Sequence, residues 1–277
     1  MRWSPPVIGL LFAALLPSAR RLVARNLRLI FGRRDAWVEL RDVARTFVQF
    51  ASCLAESLGA DRSEAMTRAI RVRGGSRVEE MLARNQGFVI ATAHVGPWDG
   101  TAQALAQLGG ARVMIVMAHE HDAEAEQLHD QVRAKAQLKV LRIGRHPLDA
   151  LPALEHLASG GVVAVQVDRV PRGNAAVAVK LFGEDFAVPQ GPFQLAGLAK
   201  VPLLPIFSAR TGYFTRRIDI GFPVWPSRRP RGEELRELAQ CVVSQMEGQI
   251  AAFPLQWFHF ITDEEQRQAR EQALARG

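Results

Sequence analysis

The feature that most constrains this chain is an alternation that begins after Gly74-Gly75. Short apolar runs at residues 88–93 (FVIATA), 112–118 (RVMIVMA), 139–143 and 162–167 (VVAVQV) are separated by stretches with helical spacing at 98–108, 122–137 and 148–158. Apolar runs of this length, bounded by Gly and polar residues, read as strands buried on both faces. Strands alternating with helices long enough to cross back over them predict βαβ units and a parallel sheet. Further on, 175–182 and 186–188 read as a hairpin around Gly183-Glu184-Asp185. A helix at 193–199 and an apolar run at 202–208 continue the sheet, and 233–252 is a last long helix. The expected fold is α/β, a mostly parallel central sheet flanked by helices.

The first 75 residues have a different texture. Residues 7–16 form a ten-residue apolar run closed by Pro17, with Arg20, Arg21, Arg25 and Arg28 following among Leu22, Val23, Leu27, Leu29 and Ile30. A spanning helix needs roughly 20 apolar residues, so this run is too short to cross a bilayer. No A-x-A-like cleavage site follows it, as a signal peptide would require. Its pattern fits a helix lying at a membrane surface. Helical spacing recurs over 36–59, and a second helical stretch is expected over 61–70. The organisation expected is a helical membrane-associating segment at 1–75, an α/β core at 76–262 and a polar C-terminal tail at 263–277 that frays.

Charge narrows the partners. The formal net charge is +7, and 31 of the 35 cations are arginines. From Met1 to Arg45 nine arginines face three acids, and a second cluster comprises Arg210, Arg216, Arg217, Arg228, Arg229 and Arg231. Such patches suit anionic lipid head groups or an acidic carrier protein. Nucleic acid is disfavoured, because aromatic residues are not interleaved with the arginines and Tyr213 is the sole tyrosine. Two cysteines, Cys53 and Cys241, cannot build a disulfide framework and read as small buried residues. There is no G-x-S-x-G elbow, P-loop or dinucleotide fingerprint. His119, Glu120, His121 and His129 read as a solvated loop rather than a metal site, so neither metal nor cofactor is expected.

The chemistry concentrates at Ala93-His94-Val95-Gly96-Pro97-Trp98-Asp99. A buried strand delivers His94 at its carboxyl end, where ligands bind in open α/β sheets. After a tight Gly-Pro turn, Asp99 falls in the first turn of the next helix. A carboxylate folded back onto the ring would fix the imidazole tautomer and leave the other nitrogen to take a proton. Three more segments follow in order. Asp168 and Arg169 end the VVAVQV strand; Gln190, Gly191 and Pro192 open a helix whose free N–H groups suit an anion; Val201-Pro202-Leu203-Leu204-Pro205 begins another strand.

In this order the segments resemble the four blocks of the glycerolipid acyltransferase superfamily: H-x4-D, an (I/V)-D-R segment, a P-E-G-like turn and a V-P-x-x-P strand. Residues 180–205, Arg25-Asn26-Leu27 and Phe253-Pro254-Leu255-Gln256-Trp257 are more similar to the bacterial lipid A lauroyl/myristoyl acyltransferase branch. The resemblance runs from about Arg20 to His259. Gln190 departs from it, standing where the wider superfamily has Glu, and Phe258-His259-Phe260 replaces a basic stretch.

The resemblance implies transfer of a fatty acyl chain from a thioester, on acyl carrier protein or coenzyme A, to a hydroxyl of a membrane lipid. That lipid would be a lipid A precursor or related glycolipid, with a lysophospholipid as the alternative. The protein would lie peripherally on the cytoplasmic face of the inner membrane. His94 would be the base and Asp99 its orienting partner. Arg169 and the helix start at Gly191 would hold a phosphate, beside Gln190, with Asp168 orienting Arg169. A lipid-binding protein that keeps the fold without the chemistry is the competing expectation.

Overall fold

A computed structural model describes residues 4–58, 70–98, 112–117, 139–144 and 146–274. The nine strands among the described residues are β1 (Ile70–Arg73), β2 (Phe88–Thr92), β3 (Val113–Met117), β4 (Lys139–Arg142), β5 (Val162–Gln166), β6 (Ala176–Leu181), β7 (Glu184–Pro189), β8 (Leu203–Gly212) and β9 (Thr215–Ile220). The described helices are α1 (Ser4–Leu15), α2 (Pro17–Phe31), α3 (Ala36–Leu58), α4 (Gly75–Ala83), α5 (Leu151–Ala158), α6 (Gly191–Ala199), α7 (Gly232–Ala252) and α8 (Asp263–Leu274).

Seven strands form one sheet in the order β1-β9-β8-β2-β5-β3-β4, and β6 pairs with β7 alone. Every pairing in the large sheet is parallel except β8 with β9. The mostly parallel α/β sheet is therefore as expected. Because β1 pairs with β9, the sheet begins before Gly74-Gly75, the point where the sequence pattern placed the end of the helical segment.

Side chains alternate across a strand, so each strand serves two cores. Val89 and Ala91 of β2, Leu203 and Phe207 of β8 and Val163 of β5 pack with Phe193 of α6 and Ala239, Val243, Met246 and Ile250 of α7. On the opposite face Phe88, Ile90, Leu204, Ile206, Ile218 and Ile220 meet Val78 and Met81 of α4. This double burial explains why the strands read as continuous apolar runs.

The β6–β7 hairpin also forms, but its turn is Phe182-Gly183, both with positive φ (51° and 82°). Positive φ at both central residues is the turn that follows the right-handed twist of a two-residue hairpin. This turn lets Glu184 and Asp185 join β7 instead of the loop.

Among the described residues no single helix is long and apolar enough to span a membrane. Helices α1 and α2 meet at a bend of 100° around Leu16-Pro17. Arg20 closes the end of α1 by donating from Nη1 to the Ala14 carbonyl at 2.7 Å. Gly9 allows α1 to lie directly on α3, where a Cβ would stand 2.7 Å from the Phe47 oxygen. Ala13, Val23, Leu27, Val43 and Phe47 fill the junction of the three helices. The outer side of α1 carries exposed Val7, Leu10, Leu11 and Leu15.

Two expectations are corrected. The C-terminal stretch is the helix α8, capped reciprocally: the Glu265 N–H donates to Thr262 Oγ1 (3.2 Å) and the Thr262 N–H to Glu265 Oε2 (3.1 Å). Its Ala269 and Ala273 pack on Ala176, Ala178 and Ala187 of the hairpin. Cys53 is buried as expected, whereas Cys241 is exposed on α7.

Candidate active site

His94 is set by strand pairing. β2 and β5 run parallel with Thr92 opposite Gln166, and the Val167 N–H extends the ladder to the Thr92 carbonyl at 2.8 Å. One residue further on, Asp168 comes alongside His94. Its Oδ2 accepts the His94 backbone N–H at 3.0 Å, and its Oδ1 lies 2.8 Å from His94 Nδ1. Asp168 is 1% exposed and His94 9%. An ionised carboxylate only accepts, so Nδ1 carries the proton and Nε2 presents its lone pair.

The ring is thus held in the form that a general base requires, by Asp168. Asp99, to which the spacing assigned that role, lies outside the described residues, as does the 119–129 cluster. The carboxylate of Asp168 also does not bridge to Arg169, as the sequence reading had it. It is taken by His94 and by Trp257, whose Nε1–H donates to Oδ2 at 3.2 Å. Burial alone would raise the Asp168 pKa. The electrostatic attraction and hydrogen bond of His94, with Arg169 behind them, overcome that and hold it well below the usual carboxylate range.

A C-terminal strap completes the site. Val95 and Trp257 form an antiparallel bridge, flanked by Gly96 N–H to the Gln256 carbonyl (2.8 Å) and Phe258 N–H to the His94 carbonyl (2.7 Å). Gly96 takes φ of +58°, and a Cβ there would stand 2.5 Å from the Ser208 oxygen, so the turn requires glycine. His259 is 1% exposed; its Nε2–H donates to the Asp168 carbonyl at 2.8 Å and its ring stacks on Trp257, 4.8 Å between centroids. Burial pushes its pKa down to about 3, against the pull of Asp168, so this ring is neutral.

Helix α2 grips the same strap. Asn26 Nδ2 donates to the His259 carbonyl (2.7 Å) and Arg25 Nη2 to that of Ile261 (2.9 Å). Arg169 donates from Nη2 to the Phe258 carbonyl at 2.8 Å, and burial lowers its pKa. The Arg25-Asn26-Leu27 and Phe253–Trp257 motifs are therefore two halves of one clamp. Trp257 and His259 were missed as site residues, because nothing local marks a tryptophan or histidine that reaches a partner 89 or 91 positions earlier.

Gln190 and Gly191 begin α6, with Gly191 exposed and open space where its Cβ would stand. No hydrogen bond among the described residues joins either to the His94–Asp168 pair. No group of three metal-ligating side chains occurs among the described residues.

A mostly parallel sheet thus carries a buried His–Asp pair at the carboxyl ends of β2 and β5. The chain belongs to the bacterial lipid A biosynthesis acyltransferase family, whose model matches residues 6–262. It is also similar to the phosphatidylinositol mannoside acyltransferases of two Mycobacterium tuberculosis strains, CDC 1551/Oshkosh and H37Rv. Each match is 28% identical over 191 residues, 68% of this chain and 58% of the relative's length.

Proposed function

We propose that this protein moves a fatty acyl group from a thioester, on acyl carrier protein or coenzyme A, to a hydroxyl of a membrane glycolipid. The observation that carries the reading is the His94–Asp168 pair, Nδ1 to Oδ1 at 2.8 Å, in a chain of this family. His94 Nε2 takes the acceptor hydroxyl's proton as the oxygen attacks the thioester carbonyl. The tetrahedral intermediate collapses with cleavage of the C–S bond, and the sulfur leaves with the proton from His94. Base assistance of this kind contributes on the order of 10²–10⁴-fold. Asp168 holds the ring and stabilises the imidazolium through the same hydrogen bond.

The acceptor class is a lipid A precursor or another glycolipid, supported by the family and by the names of the mycobacterial relatives. The site of action is the cytoplasmic face of the inner membrane, with the protein bound peripherally to an anionic surface. The exposed apolar side of α1 and the exposed Arg21 and Arg33 support this placement. Arg20, Arg25 and Arg28 contribute less to it than their spacing suggested, since they bond to α1, to the strap and to Glu39.

The test uses the full chain with a labelled acyl thioester and extracted membrane lipid. His94→Ala should abolish transfer while the circular dichroism and unfolding midpoint stay close to wild type. A folded His94→Ala protein that still transfers the label would remove the mechanism.

A further inference from the structure

Three neighbouring strands change character towards one end of the sheet, in successive register rows, on the face opposite α7. Phe88 and Ile90 of β2, Leu204 and Ile206 of β8, and Ile218 and Ile220 of β9 line an apolar core there. The next residues on that same face are Thr92, Ser208 and Arg216. All three are buried, at 8%, 1% and 2% exposure. Thr92 Oγ1, Ser208 Oγ, and Nε and Nη2 of Arg216 have no hydrogen-bond partner among the described residues.

The charges around them do not cancel. Arg216 stands directly opposite Arg210 in the β8–β9 register, so two guanidinium groups share one face. The acid beside them is Glu56 of α3. Its Oε1 accepts from Arg210 Nε at 2.7 Å and from the Phe214 N–H at 3.3 Å, while its Oε2 is buried and bare. Gln49 takes a further bond from Arg210, and Gln256 pairs with the Arg210 backbone, so Arg210 is fixed in place. Among the described residues, two cations against one carboxylate leave a positive charge without a counterion in a buried place, which is costly unless something anionic joins it.

The location bears on the reaction. Extending the β2–β8 register, in which Ala91 faces Pro205, brings Ser208 beside His94. The turn after His94 also packs on the Ser208 backbone, as the Gly96 contact requires. Nε and Nη2 form the edge of a guanidinium that presents two parallel N–H donors to a tetrahedral or planar oxyanion.

We propose that Arg216, with the Ser208 and Thr92 hydroxyls, is a binding site for the phosphate group of a phosphate-ester substrate, next to the His94 turn. This rests on the acyl-transfer reading, because both thioester carriers and a phospholipid-type acceptor bring such a phosphate. The site is distinct from Arg169, whose Nη2 is committed to the Phe258 carbonyl.

Inorganic phosphate, titrated into the full chain, should raise the unfolding midpoint in a saturable way. Arg216→Gln should weaken that binding roughly ten- to a hundredfold, the loss of a charge-assisted pair of hydrogen bonds. Arg216→Lys, which keeps the charge but not the fork, should recover part of it. In turnover assays the same variants should raise KM with kcat nearly unchanged. A rise in KM for coenzyme A thioester or for acyl carrier protein assigns the phosphate to the donor; a rise for the lipid assigns it to the acceptor.

If Arg216→Gln does not fold, Ser208→Ala and Thr92→Val carry the same readouts with smaller changes. Phosphate that fails to shift the wild-type midpoint, or variants that lower stability while both KM values stay fixed, would overturn the proposal. His94→Ala separates the two readings. If it binds phosphate normally but is inactive, both stand; if it is active while Arg216→Gln still loses binding, the phosphate site survives and the mechanism does not.

Discussion

Replacing His259 by Gln should flatten the acid limb of this protein's stability profile. The folded ring donates to the Asp168 carbonyl and is pushed down to about 3 by burial, which outweighs the opposing attraction of Asp168. Arg169, His94 and Arg25 add to the depression. In the unfolded chain a histidine titrates near 6.5. Between those values the unfolded state carries a proton that the folded state lacks, so stability falls as pH falls. The limiting slope is about 1.4 kcal/mol per pH unit, and integration from pH 7 to pH 5 gives about 2 kcal/mol from this side chain. Asp168 does not enter that window. Its folded pKa is depressed, so its contribution is present above the ordinary carboxylate value and is lost only at lower pH. Gln keeps an N–H for the Asp168 carbonyl and does not titrate. Urea unfolding of both proteins at pH 7 and pH 5 should show a pH difference about 2 kcal/mol smaller in the variant. Parallel profiles would refute the claim that a neutral His259 is held beneath Asp168.

Asp168→Asn preserves the shape of the site but removes the charge that orders His94; kcat should fall about 10²–10⁴-fold with KM little changed, in a steady-state transfer assay. Gly96→Ala should destabilise the fold by more than about 1–2 kcal/mol, since the left-handed backbone is joined by a clash with the Ser208 carbonyl, and chemical denaturation measures this directly. Leu11→Glu combined with Leu15→Glu alters exposed positions on α1 and should leave the unfolding midpoint intact. Sedimentation with anionic vesicles should then recover much less protein, and undiminished binding would count against α1 as the membrane contact.

Several signals were open to a reader of the sequence. The apolar runs of β2, β3 and β5 stand where their composition put them, because strands buried on both faces must be apolar throughout. The T-D-E-E segment at residues 262–265 is a reciprocal cap that marks α8, even though the helix itself is polar and its small alanine face is easily overlooked. The turn at Phe182-Gly183 was less legible, since an aromatic residue with positive φ breaks the usual turn chemistry. Trp257 belonged to a recognisable motif, but its motif says nothing of the carboxylate that its indole reaches.

Local sequence alone determined that a histidine ends a buried strand at a glycine-proline turn, since strand composition and turn chemistry act over a few residues. It determined equally that an acid and an arginine end another strand. That the Asp168 carboxylate meets the imidazole was decided only by the sheet. β5 lies beside β2 although β3 and β4 intervene in the chain, and that adjacency brings residue 168 to residue 94 across 74 positions. Hydrogen bonding between strands pays no attention to sequence distance once the loops are closed, so the His94–Asp168 pairing is a property of strand order.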